Sequence, residues 1–157
     1  MSFSQIEKPY VCVDTFAGFT DNDVTYEVLK RRKDKSRYYG FRFNRKAWFD
    51  QTMRCNNIER VRAVQTDVGG FDFATLGTVS FCLDVDLYAP TRHSLSQLYP
   101  RLTRGGVIVV DDCVSNNIFD GAHKAYSEFC ASEGLTNSVV CGKLGVIERN
   151  KRSLWVT

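Results

Sequence analysis

The sequence predicts an α/β fold built on a mostly parallel sheet. Two observations carry that expectation. Apolar runs such as Val79–Asp84 and Val107–Val110 read as strands buried on both faces. They alternate with stretches of helical periodicity, which is the pattern of βαβ units. Both runs release acids at their carboxyl ends, at Asp84, Asp86, Asp111 and Asp112. In an open α/β sheet that edge is where ligands bind.

The elements follow in order. Pro9–Asp14 is a short strand ending in an acid, and residues 15–21 form a turn with a capping signal. A helix runs from Asp21 to about Lys33, with Val24, Val28 and Leu29 as its inner face. A second helix spans Asn44 to about Cys55 and carries Trp48, Phe49 and Met53. Val61–Thr66 is a strand that leaves through Asp67-Val68-Gly69-Gly70. After the strand Val79–Asp84 comes a helix over Pro90–Tyr99, with Pro90 near its first turn and Leu95 and Leu98 inward. Gly105-Gly106 turns into the strand Val107–Val110. A helix from Ile118 to about Ser132 is closed by Gly134. Strands at Ser138–Cys141 and Gly145–Glu148 finish the sheet as an antiparallel hairpin, with a third candidate at Ser153–Val156.

The chain has 157 residues, which suits one domain over 1–157. A net charge of +3 does not give the concentrated basic face of a nucleic-acid binder. The basic run Lys30–Lys35 reads as a solvated helix end. No segment approaches the ~20 apolar residues of a membrane span, and residues 1–8 lack the apolar core of a signal peptide. The expectation is a soluble, cytoplasmic protein. Six cysteines without a CxxC pair read as buried reduced thiols, Cys113 excepted because it follows Asp112.

Three segments carry a family resemblance. They are Leu83-Asp84-Val85-Asp86-Leu87-Tyr88-Ala89-Pro90-Thr91, then Leu98-Tyr99-Pro100-Arg101-Leu102, then Gly105 through Asp112. Together with Asp14-Thr15-Phe16-Ala17-Gly18-Phe19 and Gly121-Ala122-His123-Lys124-Ala125, they resemble the macrocin O-methyltransferase (TylF-type) family. The resemblance implies a Rossmann-like class I methyltransferase sheet. It implies methyl transfer from S-adenosylmethionine to a hydroxyl of a small molecule, of sugar or natural-product type, with Mg²⁺ or another divalent cation. It places the metal among Asp84, Asp111 and Asp112, and makes Asp84 the catalytic base. It places the cofactor beside Asp14, Phe16, Gly18 and Asp67.

The family begins with a strand and a Gly-rich turn ahead of the strand ending at Asp14. Only thirteen residues precede Asp14 here, and none is glycine. The expected sheet is therefore truncated at its N-terminal side, with a central gap between the strands ending at Asp14 and Asp84. Another chain fills the gap, or the strands close up, or the chain is part of a longer product. A homo-oligomer is expected on this ground, and an inactive methyltransferase-like binding module is the alternative to an enzyme.

Each acid also has a plainer reading. Asp14 caps the turn at Gly18, and Asp112 caps the next helix. Asp86, two residues from Asp84, points to the opposite face if the strand continues, and anchors the following loop.

Overall fold

The computed structural model describes residues 10–77, 80–115 and 119–149. The starts expected at Pro9, Val79 and Ile118, and the candidate strand at Ser153–Val156, fall outside those residues. The elements are β1 (Tyr10–Asp14), α1 (Asp21–Arg31), α2 (Lys46–Cys55), β2 (Val61–Gln65), β3 (Phe81–Leu83), α3 (Tyr88–Leu98), β4 (Val107–Val110), α4 (Gly121–Ser132), β5 (Ser138–Val140) and β6 (Leu144–Glu148). Short 3₁₀ turns at Lys35–Tyr38 and Gly40–Phe43 bridge α1 and α2.

The strands form two separate ladders. β1 pairs with β2 in parallel, and the other four follow the order β3-β4-β6-β5. β3 and β4 are parallel, whereas β6 is antiparallel to both β4 and β5. The interruption falls between β1 and β3, where the gap was expected. Cys82, at the centre of β3, is exposed in consequence. Among the described residues no strand lies between these two edges.

Two apolar clusters hold the molecule. The larger joins the four-stranded sheet to α3 and α4, with Leu95, Leu98, Ile108, Val110, Tyr126 and Ile147 at its centre. Each such side chain contributes about 1.5–3 kcal/mol by leaving water. Leu95 and Leu98 face inward as their spacing predicts. Tyr126 ties α4 to the hairpin: its hydroxyl donates to the Ser138 carbonyl at 2.7 Å and accepts from the Ser138 and Val146 N–H groups. The smaller cluster gathers Val24, Tyr38 and Leu87, with Phe19, Val28 and Phe119 against them.

Helix ends follow their sequence signals. Thr20 caps α1, accepting from the Asp23 N–H at 3.2 Å and donating to the Asp23 carboxylate at 2.7 Å. After α4 the chain turns at Gly134, φ +64°, and the Leu135 N–H returns to the Cys130 carbonyl at 2.8 Å.

The inner face of α1 departs from expectation. Leu29 is 70% exposed, while Glu27 is 1% exposed. The reason is a long-range demand. Glu27 accepts from the Tyr88 N–H at 2.8 Å, satisfying a free donor at the start of α3, and from Arg31 at 2.6 Å. Arg31 continues to Asp120 at 2.6 Å, and Lys33 joins at 2.7 Å. The basic run is therefore not simply solvated. Two of its cations clamp the residue that precedes α4. Cysteine burial divides too: Cys113 and Cys130 are buried, but Cys55, Cys82 and Cys141 are exposed.

Candidate active site

The carboxyl ends of the two ladders face one cavity of about 240 Å³. β1 and the turn after it supply Asp14 and Gly18, and the exit from β2 supplies Asp67. Asp84 and Asp86 come from the other ladder, after β3. Thr20, Asp23, Phe41 and Asn44 complete the wall. A shallower groove of about 520 Å³ runs along α3 and the C-terminal half of α4, lined by Tyr88, Arg92, Tyr99 and Phe129, and no aspartate lines it.

Asp14 does the plain task and keeps capacity for another. Its Oδ1 accepts the Phe16 N–H at 2.5 Å. Among the described residues no hydrogen bond is made by its other oxygen. Thr15 closes the same turn by donating to the Gly18 carbonyl at 2.6 Å. Gly18 has φ +82°, and a Cβ there would meet the Phe41 backbone at 3.0 Å. Only glycine lets the segment carrying Phe41 lie against this turn. Phe16, expected among the cofactor contacts, is 3% exposed and packs on Phe49. It supports the turn from behind and does not line the cavity. Asp67 organises its own exit loop, accepting from Gly69 and Gly70 N–H groups at 2.7 and 3.0 Å.

The expected opposition of Asp84 and Asp86 does not arise. β3 ends at Leu83, and Asp86 takes φ +55°. That left-handed turn brings the two carboxyls into hydrogen-bond contact. Burial, then Asp84, Asp112 and Asp111, push Asp86 up to about 7. Burial, then Asp111 and Asp112, raise Asp84 as well. The pair therefore shares a proton, with Asp86 the better proton holder. The loop-anchoring reading of Asp86 also holds, through its backbone: its carbonyl accepts the Ala122 N–H at 2.9 Å. Gly121 permits this approach, since a Cβ there would meet the Tyr88 nitrogen at 2.5 Å.

Asp111 and Asp112 follow β4. The Asp111 N–H bonds to the Leu83 carbonyl at 2.8 Å, which locks this corner to β3. Asp112 has φ +56° and does not cap α4, whose preceding residue is Asp120. Lys143, from the β5–β6 turn, reaches Asp111 at 2.8 Å and Asp112 at 3.9 Å. Burial works against the Asp111 charge, but the Lys143 hydrogen bond, the Asp112 N–H and the Lys143 charge together outweigh it and hold the carboxyl below its usual range. Cys113 is buried and pushed up to about 11, chiefly by that burial, so it is an inert thiol.

The donor set has the chemistry of a hard-cation site. It is made of carboxylates alone, and their mutual repulsion is visible in Asp84 and Asp86. It is not a preformed cage: among the described residues no three acidic, histidine or cysteine side chains converge in ligand geometry. Lys143 holds Asp111 instead.

Three features of this corner were not read from the sequence. Asp23 forms part of the wall, and burial raises its carboxyl. Its signal was the Thr20-to-Asp23 capping spacing. The side Asp86 faces depends on where β3 stops, and the alternation of the sequence does not mark that end at Leu83. Lys143 is brought here by topology: the turn into the antiparallel last strand lies on the same edge as the end of β4.

The model of the macrocin-O-methyltransferase (TylF) family matches residues 40–146, which include Asp67, Asp84, Asp111 and Asp112. The chain belongs to the TylF family. Asp14, Phe16 and Gly18 lie ahead of the matched segment. No curated protein matches the chain in sequence. Among solved structures it is similar to the O-methyltransferase NovP, with a TM-score of 0.72 and 19% identity over 94% of this chain and 62% of that one. It is also similar to CalS11, a calicheamicin methyltransferase, with a TM-score of 0.65 and 20% identity over 89% of this chain and 60% of that one. The chain thus spans about three fifths of these proteins. At such identities the likeness is one of fold, and it bears out the expected Rossmann-like methyltransferase sheet, truncated relative to both.

Proposed function

We propose that this TylF-family chain carries the S-adenosylmethionine and metal sites of an O-methyltransferase acting on a hydroxyl of a sugar or natural product. One observation supports this reading above the others. A single cavity joins Asp14, Gly18 and Asp67 of one ladder to Asp84 of the other. S-Adenosylmethionine, when bound, supplies the electrophilic methyl group. Asp14 and Asp67 would hold its hydroxyl and amine groups, because carboxylate oxygens at strand ends are acceptors for such donors. Asp84, Asp111 and Asp112 would hold a divalent cation, which would supply Lewis acidity toward the acceptor hydroxyl.

The chain's own residues then do the following. Asp84 takes the acceptor's proton, as a carboxylate held at the end of β3 on the cavity wall. Asp86 holds the neighbouring proton and keeps the pair from carrying two full charges. Phe41 gives the cavity an apolar wall. NovP is described as an O-methyltransferase, and CalS11 as a TDP-rhamnose 3'-O-methyltransferase. The second description favours a sugar hydroxyl as acceptor.

The edges of β1 and β3, unpaired among the described residues, support a second reading, a homo-oligomeric or binding module without catalysis. No helix among the described residues is long and apolar enough to cross a membrane, and neither reading needs one. Calorimetric titration of S-adenosylmethionine, with and without Mg²⁺, separates the two. Binding in the micromolar range that Asp14→Ala weakens supports the enzyme. Absence of binding under both conditions leaves the module.

A further inference from the structure

We infer that Lys143 is a resident counter-cation that competes with a divalent ion for the acidic edge, and so sets how tightly the metal is held. The inference rests on the metal reading given above. Lys143 is fixed at its backbone and free at its head. Its carbonyl accepts the Cys113 N–H at 2.8 Å, which ties the β5–β6 turn to the residue after Asp112. Cys141 and Gly142 before it take φ +51° and +75°, so the turn is tightly folded. The side chain is 52% exposed, and the ammonium reaches Asp111 at 2.8 Å and Asp112 at 3.9 Å. Its charge is felt as far as Asp84. One ammonium therefore lies on the oxygens that a metal would use, and the same head has open solvent to move into.

The charge count explains its place. Asp84, Asp86, Asp111 and Asp112 crowd one edge, and among the described residues Lys143 is the lysine paired with them. Without a metal, Lys143 offsets part of the repulsion. With a metal, an ammonium and a divalent ion a few ångströms apart repel, and the divalent charge doubles the effect of a simple pair. Entry of the metal then requires the lysine head to leave Asp111.

Mn²⁺ titration of the full chain, followed by calorimetry and by the electron paramagnetic resonance of free Mn²⁺, tests this without any turnover. Lys143→Met and Lys143→Gln are each expected to tighten Mn²⁺ about tenfold, and Lys143→Arg to stay within about twofold of the parent. Equal or weaker binding in both neutral variants, with Asp84→Asn losing Mn²⁺, overturns the role of Lys143 and leaves the metal site standing. Absence of Mn²⁺ binding in the parent and in both neutral variants overturns both readings.

Discussion

Asp84 and Asp86 hold a proton between them because the chain turns back at Asp86 instead of continuing the strand. The consequence for stability has a definite sign. Asp86 sits at about 7 in the folded protein, against about 3.9 in an unfolded chain. Its contribution is therefore full below about pH 4 and is lost as the pH rises to about 7. Asparagine mimics the protonated acid and can still donate to Asp84. Asp86→Asn should melt with the parent near pH 4 and several degrees above it at pH 8, in chelator-treated buffer. Parallel melting curves at the two pH values would remove the shared proton. Gly18 is constrained by its backbone rather than its charge. With φ +82° and the Phe41 backbone 3.0 Å from a would-be Cβ, Gly18→Ala should cost about 1–3 kcal/mol in urea unfolding. It should also loosen the wall that carries Phe41. Cost without loss of cofactor binding would separate the turn from the site.

Glu27 is the residue through which α1 positions α3 and, through Arg31 and Asp120, the start of α4. Glu27→Ala leaves the Tyr88 N–H without its acceptor and removes one of the two partners of a buried arginine. Breaking a buried pair in this way costs about 3–5 kcal/mol. Glu27→Gln keeps an acceptor for Tyr88 and should cost clearly less; equal losses in chemical denaturation would show that the charge alone matters. This network also shows which parts of the fold were legible. Periodicity located α1, α3, α4 and the parallel strands, because burying one face imposes a repeat on the residues. It placed Leu29 inward and left Glu27 unnoticed, because a buried acid is chosen by a partner 61 positions away. The carboxylates at the cavity were legible for a related reason. A strand buried on both faces makes its terminal acid conspicuous. The turn at Asp86 and the reach of Lys143 were not, since both depend on backbone geometry beyond the strand ends. The packing of Phe16 on Phe49 was not legible, because a motif gives position along the chain but not the direction of a side chain.

At the scale of the molecule, the split between β1-β2 and β3-β4-β6-β5 governs both stability and assembly. β4 is hydrogen-bonded on both sides, by β3 and β6, whereas among the described residues β1 is bonded by β2 alone. In a parallel strand successive N–H groups point alternately to the two sides, so part of β1 and β3 donates toward the gap. Such groups are satisfied by water or by another strand, since leaving them buried and unpaired is costly. Amide exchange should therefore be at least about tenfold faster across Tyr10–Asp14 than across Val107–Val110 in dilute protein. Free strand edges also template pairing with a second chain. Protection of β1 should then rise with protein concentration, in step with a larger sedimentation coefficient. β1 as slow as β4 at every concentration would mean that its edge is already paired within one chain. Protection that stays low while the protein remains monomeric would instead leave the gap open to solvent, with the α1–α3 contact, the Val24–Tyr38–Leu87 cluster and the Glu27–Arg31–Asp120 chain joining the two parts.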